Sequence, residues 1–184
     1  MAEDLTGRDD SLDNALIRRW TEGDERAATA LVERHATALA RYIGSLGERD
    51  GADEVVQDTF VRAFQSLESF RGDSSLRTWL FTIARRLVVD RRRAFRRRRE
   101  VGDLDEVDAA TEYTALDGLI ASEAKRKVWG AVGKLSPTQR EVFLLRVNEG
   151  LSYKEIAEVA GTTEGAARVH YHNALRTVKE NLNE

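Results

Sequence analysis

Apolar residues recur at helical spacing along most of this chain, most regularly between Leu76 and Val88. Leu76, Trp79, Leu80, Ile83, Ala84, Leu87 and Val88 stand at i, i+3, i+4, i+7, i+8, i+11 and i+12, which is one face of an α-helix. Ser74 or Ser75 can cap its start. Upstream, residues 12–20 read as a short helix that ends at Gly23, and Asp24 caps a long helix running to Leu46. Ala27, Leu31, Ala38, Tyr42 and Leu46 lie near one face of that helix. Residues 52–68 form another, with Val56, Phe60, Ala63, Phe64 and Leu67 on its apolar stripe. A helix from Leu119 to Leu135 follows later, and Ser136-Pro137 opens the next, with proline in the first turn where its missing N–H costs nothing.

Near the C-terminus two helices meet at a tight turn. Ser152 and Glu155 form a capping box, Ile156, Ala157 and Ala160 supply small and apolar packing, and Gly161 sits where a helix ends in a left-handed residue. Thr163 caps the second helix, whose inward positions are Ala167, Tyr171, Ala174 and Val178. Arg168, Val169, His172, Asn173 and Arg176 then face outward. Such a unit is either a DNA-reading helix-turn-helix, with Arg and Asn able to bond base edges, or an αα-hairpin of an ordinary bundle.

Charge sharpens the division of the chain. Residues 85–99 hold nine arginines, whereas the next eighteen residues carry seven acids and no Lys or Arg. The arginines continue the buried stripe of the helix begun at Leu76, so they extend an anchored helix and are not a free tail. The chain therefore reads as all-α, with two small helical domains joined by a flexible linker. Residues 1–11 are expected to be a disordered N-terminus, 12–99 the first domain, 100–118 the acidic linker and 119–184 the second domain.

Other chemistry is thin. The chain has no cysteine, which removes disulfides and thiolate sites. His170 and His172 at i, i+2 point to different helix faces and His35 is distant, so no metal is expected. No glycine-rich phosphate loop or nucleophile motif is present, and neither an enzymatic activity nor a cofactor is expected. The apolar runs are too short to cross a membrane and the polar start has no signal-peptide pattern, which reads as a cytoplasmic protein without membrane insertion.

Two stretches together point to a family. Residues 53–90, DEVVQDTFVRAFQSLESFRGDSSLRTWLFTIARRLVVD, resemble conserved region 2 of bacterial RNA polymerase sigma factors of the extracytoplasmic-function (ECF, group 4) family. Residues 135–175, LSPTQREVFLLRVNEGLSYKEIAEVAGTTEGAARVHYHNAL, resemble region 4 of the same family. Their order, their spacing and the acidic linker match it, from about Asp13 to Val178.

The resemblance implies a factor that binds core RNA polymerase and directs promoter-specific initiation. Asp53, Glu54, Gln57, Asp58 and Arg62 match the surface that docks on the clamp helices of the largest subunit, and the flap of the second-largest subunit is a further contact. Phe70, Arg71, Asp73, Ser74 and Ser75 match the loop that holds the melted −10 element, continued by Arg77, Arg85, Arg86 and Asp90 on the next helix. Phe70 serves either the loop or the core, and Phe81 and Trp79 read as core. Arg92, Arg93, Arg96, Arg97, Arg98 and Arg99 would contact backbone phosphates. Thr163, Arg168, Val169, His172, Asn173 and Arg176 would read the −35 element.

Two departures from the family pattern bear on DNA contact. Around Arg86 many relatives carry a small polar residue, so Arg86 implies either a changed base preference or a phosphate contact, and His170 and His172 replace charge in the recognition helix. An anti-sigma protein is a further implied partner. The residues by themselves leave two other readings open, a helix-turn-helix regulator that acts without polymerase and a helical adaptor that binds only proteins.

Overall fold

The computed structural model describes residues 3–48, 50–101 and 123–182. All regular elements among them are helical: α1 (Glu3–Thr21), α2 (Glu25–Ser45), α3 (Ala52–Gln65), a 3-10 turn (Leu67–Ser69), α4 (Leu76–Val101), α5 (Glu123–Gly133), α6 (Pro137–Val147), α7 (Tyr153–Ala160) and α8 (Glu164–Leu182). They form two helical units. In the first, α1 packs on α2, and α3 lies between α2 and α4. In the second, α5, α6 and α7 all pack on α8.

Local sequence explains most helix ends. The Asp24 side chain accepts from the Arg26 N–H at 3.0 Å and caps α2. Ser75 accepts from the Thr78 N–H at 3.1 Å, so of the two candidate serines it is Ser75 that starts α4. Ser136 and Gln139 form a capping box around Pro137, as Ser152 and Glu155 do at α7. Gly161 ends α7 at φ +65°, a conformation that a side chain disfavours.

Three expectations shift. α1 begins at Glu3 and not near residue 12, so residues 3–11 are helical where a disordered segment was expected. Leu16 and Asp13 of this helix are buried against α2, and the packing propagates the helix upstream through Gly7. On α3 the buried row is Val55, Thr59, Phe60 and Ala63, while Val56 is only half-buried. A helix flanked by two others buries a wider sector than one stripe. On α2, His35, Leu39 and Ile43 are buried and Ala38 and Leu46 only partly so, for the same reason. The arginine helix α4 continues through Val101, and the rest of the acidic segment to residue 118 lies outside the described residues.

His35 is structural. Its Nε2–H donates to Asp13 Oδ2 at 2.9 Å, and Arg34 Nε donates to Asp13 Oδ1 at 2.9 Å. Burial alone would raise the Asp13 pKa, but the bonds and charges of His35 and Arg34 outweigh it and hold the carboxyl below its usual value. The cluster ties α1 to α2 inside the first unit.

Candidate nucleic-acid and partner interfaces

The outer face of α3 is mostly polar, interrupted by Val61, which is 47% exposed. Asp53, Glu54, Gln57, Asp58 and Arg62 are all exposed, because Val55, Thr59, Phe60 and Ala63 commit the opposite side to the core. Glu54 accepts from the Arg91 guanidinium at 3.1 Å. A row of carboxylates and an amide on a rigid helix suits a basic partner surface.

The turn between Phe70 and Ser75 divides its residues. Arg71 and Asp73 are exposed, whereas Phe70 is half-buried with its ring 5.1 Å from Trp79. Phe70 thus belongs largely to packing. On α4, Arg86 and Asp90 are exposed, and Phe81 is 1% exposed with its ring 4.9 Å from Tyr42. The arginine run splits: Arg91 turns back to α3, Arg92 lies 3.7 Å from Glu48, and Arg93, Arg96, Arg97 and Arg98 are exposed. The Arg99 side chain lies outside those described.

On α8 the anticipated outward face is the one presented. Thr163 Oγ1 accepts from the Ala166 N–H at 3.1 Å, which fixes the start of the helix. Ala167, Ala174 and Val178 are buried, so Arg168, Val169, His172 and Arg176 are exposed, with Asn173 at the edge. Val169 is 57% exposed, an apolar side chain available for a thymine methyl. Arg168 is held between Glu164, at 2.8 Å, and the face of Tyr153, at 5.1 Å.

A set of contacts that the sequence does not signal joins the two units. Glu141 of α6 is 7% exposed, and its Oε1 accepts from Tyr42 Oη at 2.7 Å and from Arg85 Nε at 2.8 Å. Burial, reinforced by that carboxylate and opposed by Arg85, pushes the Tyr42 phenol well above its usual pKa, so it remains a donor. Glu149, also 7% exposed, accepts from Arg41 Nε at 2.9 Å and from Arg77. Thr78 donates to Glu155 Oε1 and Ser74 to Glu158 Oε1, both at 3.0 Å. Val142, Leu145, Leu151, Ile156 and Val159 complete the contact by joining the core that holds Tyr42 and Phe81.

Comparison with known proteins assigns these surfaces to a lineage. Residues 31–99 match the sigma-70 region 2 family and residues 125–178 the sigma-70 region 4 family. The ECF RNA polymerase sigma-E factor of Haemophilus influenzae is 31% identical, over 99% of this chain and 98% of its own length. The chain belongs to the ECF sigma factors. Among solved structures, CnrH in complex with the cytosolic domain of CnrY is 30% identical, with a TM-score of 0.65 over 94% of this sigma factor and 97% of that chain. The sigma factor RpoE of Bartonella quintana, in complex with the anti-sigma factor NepR, is 27% identical, with a TM-score of 0.69 over 84% of this chain and 96% of that one.

Family membership settles the choice between helix-turn-helix and plain hairpin: α7 and α8 are the DNA-reading pair of a sigma factor. It also makes this chain a binding protein and not an enzyme. Among the described residues no cluster of His, Cys, Asp and Glu could hold a metal, and no helix is long and apolar enough to cross a membrane. The cytoplasmic placement expected from the sequence is corrected to that last statement, since the lack of such a helix does not define a compartment.

Proposed function

We propose that this sigma factor docks on core RNA polymerase through the α3 face, holds the melted −10 element at the 70–75 turn and α4, and reads the −35 element with α8. Asp53, Glu54, Gln57, Asp58 and Arg62 meet the clamp helices, and region 4 meets the flap of the second-largest subunit. Arg71, Asp73, Ser74, Ser75, Arg77, Arg85, Arg86 and Asp90 serve the single strand, while Arg93 and Arg96 to Arg99 supply charge to its backbone. Phe70 shapes the turn from within. Thr163, Arg168, Val169, His172, Asn173 and Arg176 serve the −35 duplex.

One observation carries this reading. A single chain presents an exposed acidic and amide face on α3 and two separate exposed basic faces on α4 and α8, which is what a bridge between polymerase and two stretches of promoter requires. Residues 12–99 and 119–184 act as the two binding domains, with the acidic segment between them as the tether. Tethering two weak sites makes the second contact intramolecular once the first forms. An anti-sigma protein is the remaining partner, by analogy with the RpoE complex.

The test is transcription by sigma-free core polymerase, with and without this chain, from a randomised promoter library. Enrichment of two spaced sequence elements is expected. Failure to bind core would sink the proposal and leave a polymerase-independent regulator. In the same assay Arg168→Ala or Asn173→Ala should relax discrimination in the −35 element by about 1–3 kcal/mol per lost bidentate contact. An equal loss on every sequence would confine these residues to phosphate contacts.

A further inference from the structure

The Arg168 side chain is held from two sides. Glu164, one turn earlier on α8, accepts from its Nη2 at 2.8 Å, and its guanidinium lies over the ring of Tyr153, the first residue of α7, at 5.1 Å. The ring is itself fixed. Arg146 of α6 lies over it at 4.9 Å while donating from Nη1 to the Leu151 carbonyl at 2.7 Å, and Tyr171 of α8 packs edge-on at 5.9 Å. Tyr153 stands half-buried where the three helices meet. We infer that Tyr153 is a positioning residue for −35 readout: its ring fixes the Arg168 guanidinium so that its donors reach one base edge and not the neighbouring phosphates. This inference rests on the proposed −35 role of Arg168.

An exposed arginine left to itself samples many rotamers and finds phosphates on any sequence. Selectivity asks for the guanidinium to be in place before the DNA arrives, which also reduces the freedom lost on binding. The ring suits that task. A guanidinium carries five N–H donors in one plane, and attraction to an aromatic face consumes none of them. Glu164 accepts from Nη2, so donors remain for O6 and N7 of a guanine. Arg146, over the same ring from α6, ties that geometry to the helix packing. The orientation of Arg168 is therefore set by α6, α7 and α8 together and not by α8 alone.

The test uses the full chain with core polymerase and a randomised promoter library. Arg168→Ala first identifies the −35 positions that Arg168 discriminates. Tyr153→Leu should relax discrimination at those positions roughly two- to fivefold, the scale of an exposed cation–π contact, and leave the other positions unchanged. Tyr153→Phe keeps the ring and should retain wild-type discrimination. In the Arg168→Ala background, Tyr153→Leu should add no further loss at those positions. Should leucine disturb the junction of the three helices, Tyr153→Met refills it with an adaptable side chain and should relax the same positions.

A merely structural Tyr153 gives a different pattern, a loss spread over all promoters and equally large with or without Arg168. That pattern overturns the positioning role, as does discrimination that survives both Leu and Met or that fails in Phe. Failure of the −35 assignment looks different again. If Arg168→Ala relaxes the −35 element and neither Tyr153→Leu nor Tyr153→Met does, only the positioning role falls. If Arg168→Ala relaxes no position, the −35 assignment of Arg168 falls and the role of Tyr153 with it.

Discussion

Phe81→Ala should lower the unfolding free energy of this sigma factor by about 3–5 kcal/mol, the range for deleting a buried aromatic ring. The ring is 1% exposed, lies tilted against Tyr42 at 4.9 Å and sits under the Arg77 guanidinium at 5.5 Å. Its loss leaves a cavity beside Tyr42, whose hydroxyl donates to Glu141 of region 4. Thermal denaturation reads the effect directly, as a fall in melting temperature of roughly 6–20 °C for a chain of this size. The experiment also decides a functional point. A Phe81 that stacked on melted DNA would leave stability nearly untouched when truncated and would lose single-strand affinity instead.

Asp13→Ala is the second large effect, with about 3–5 kcal/mol expected for removing one partner of a buried ion cluster. Asp13 is 2% exposed and accepts from both His35 and Arg34, so its removal takes the shared carboxylate from the buried His35 and from Arg34 at once. The pH dependence has a defined sign. A carboxyl whose folded pKa lies below its unfolded value of 3.8 contributes fully above that value, and the contribution drains away as pH falls through the lowered folded pKa. The stability gap between wild type and Asp13→Ala should therefore be widest at neutral pH and narrow only in acid, below about pH 4. A gap that stayed constant through that range, followed by denaturant titration, would exclude Asp13 as the titrating group.

The helices that carry these residues were legible from the chain because their signals are local. Period, caps and turn glycines lie within a few residues of each other, which is why α4 from Leu76, the Ser152–Glu155 box and the Gly161 turn follow from the residues alone. The recognition face of α8 was legible for the same reason: its inward alanines define what faces out. The phase of α3 and the reach of α1 were not, because each depends on what packs against the helix from elsewhere. Val55 and Val56 are both apolar valines, and only the position of α2 and α4 decides which is buried. Likewise, nothing in the run REVFLLR marks Glu141 as buried; its partners Tyr42 and Arg85 stand 99 and 56 positions away. Pairings at that distance leave no trace in local pattern.

Glu155 is used twice. One carboxylate oxygen, Oε2, accepts from the Ser152 N–H at 2.8 Å and closes the first turn of α7, while the other, Oε1, accepts from Thr78 of region 2. The capping bonds of α7 are local to region 4 and do not depend on Thr78. The first-turn amide protons of α7 should accordingly exchange with solvent as slowly in Thr78→Val as in the wild type.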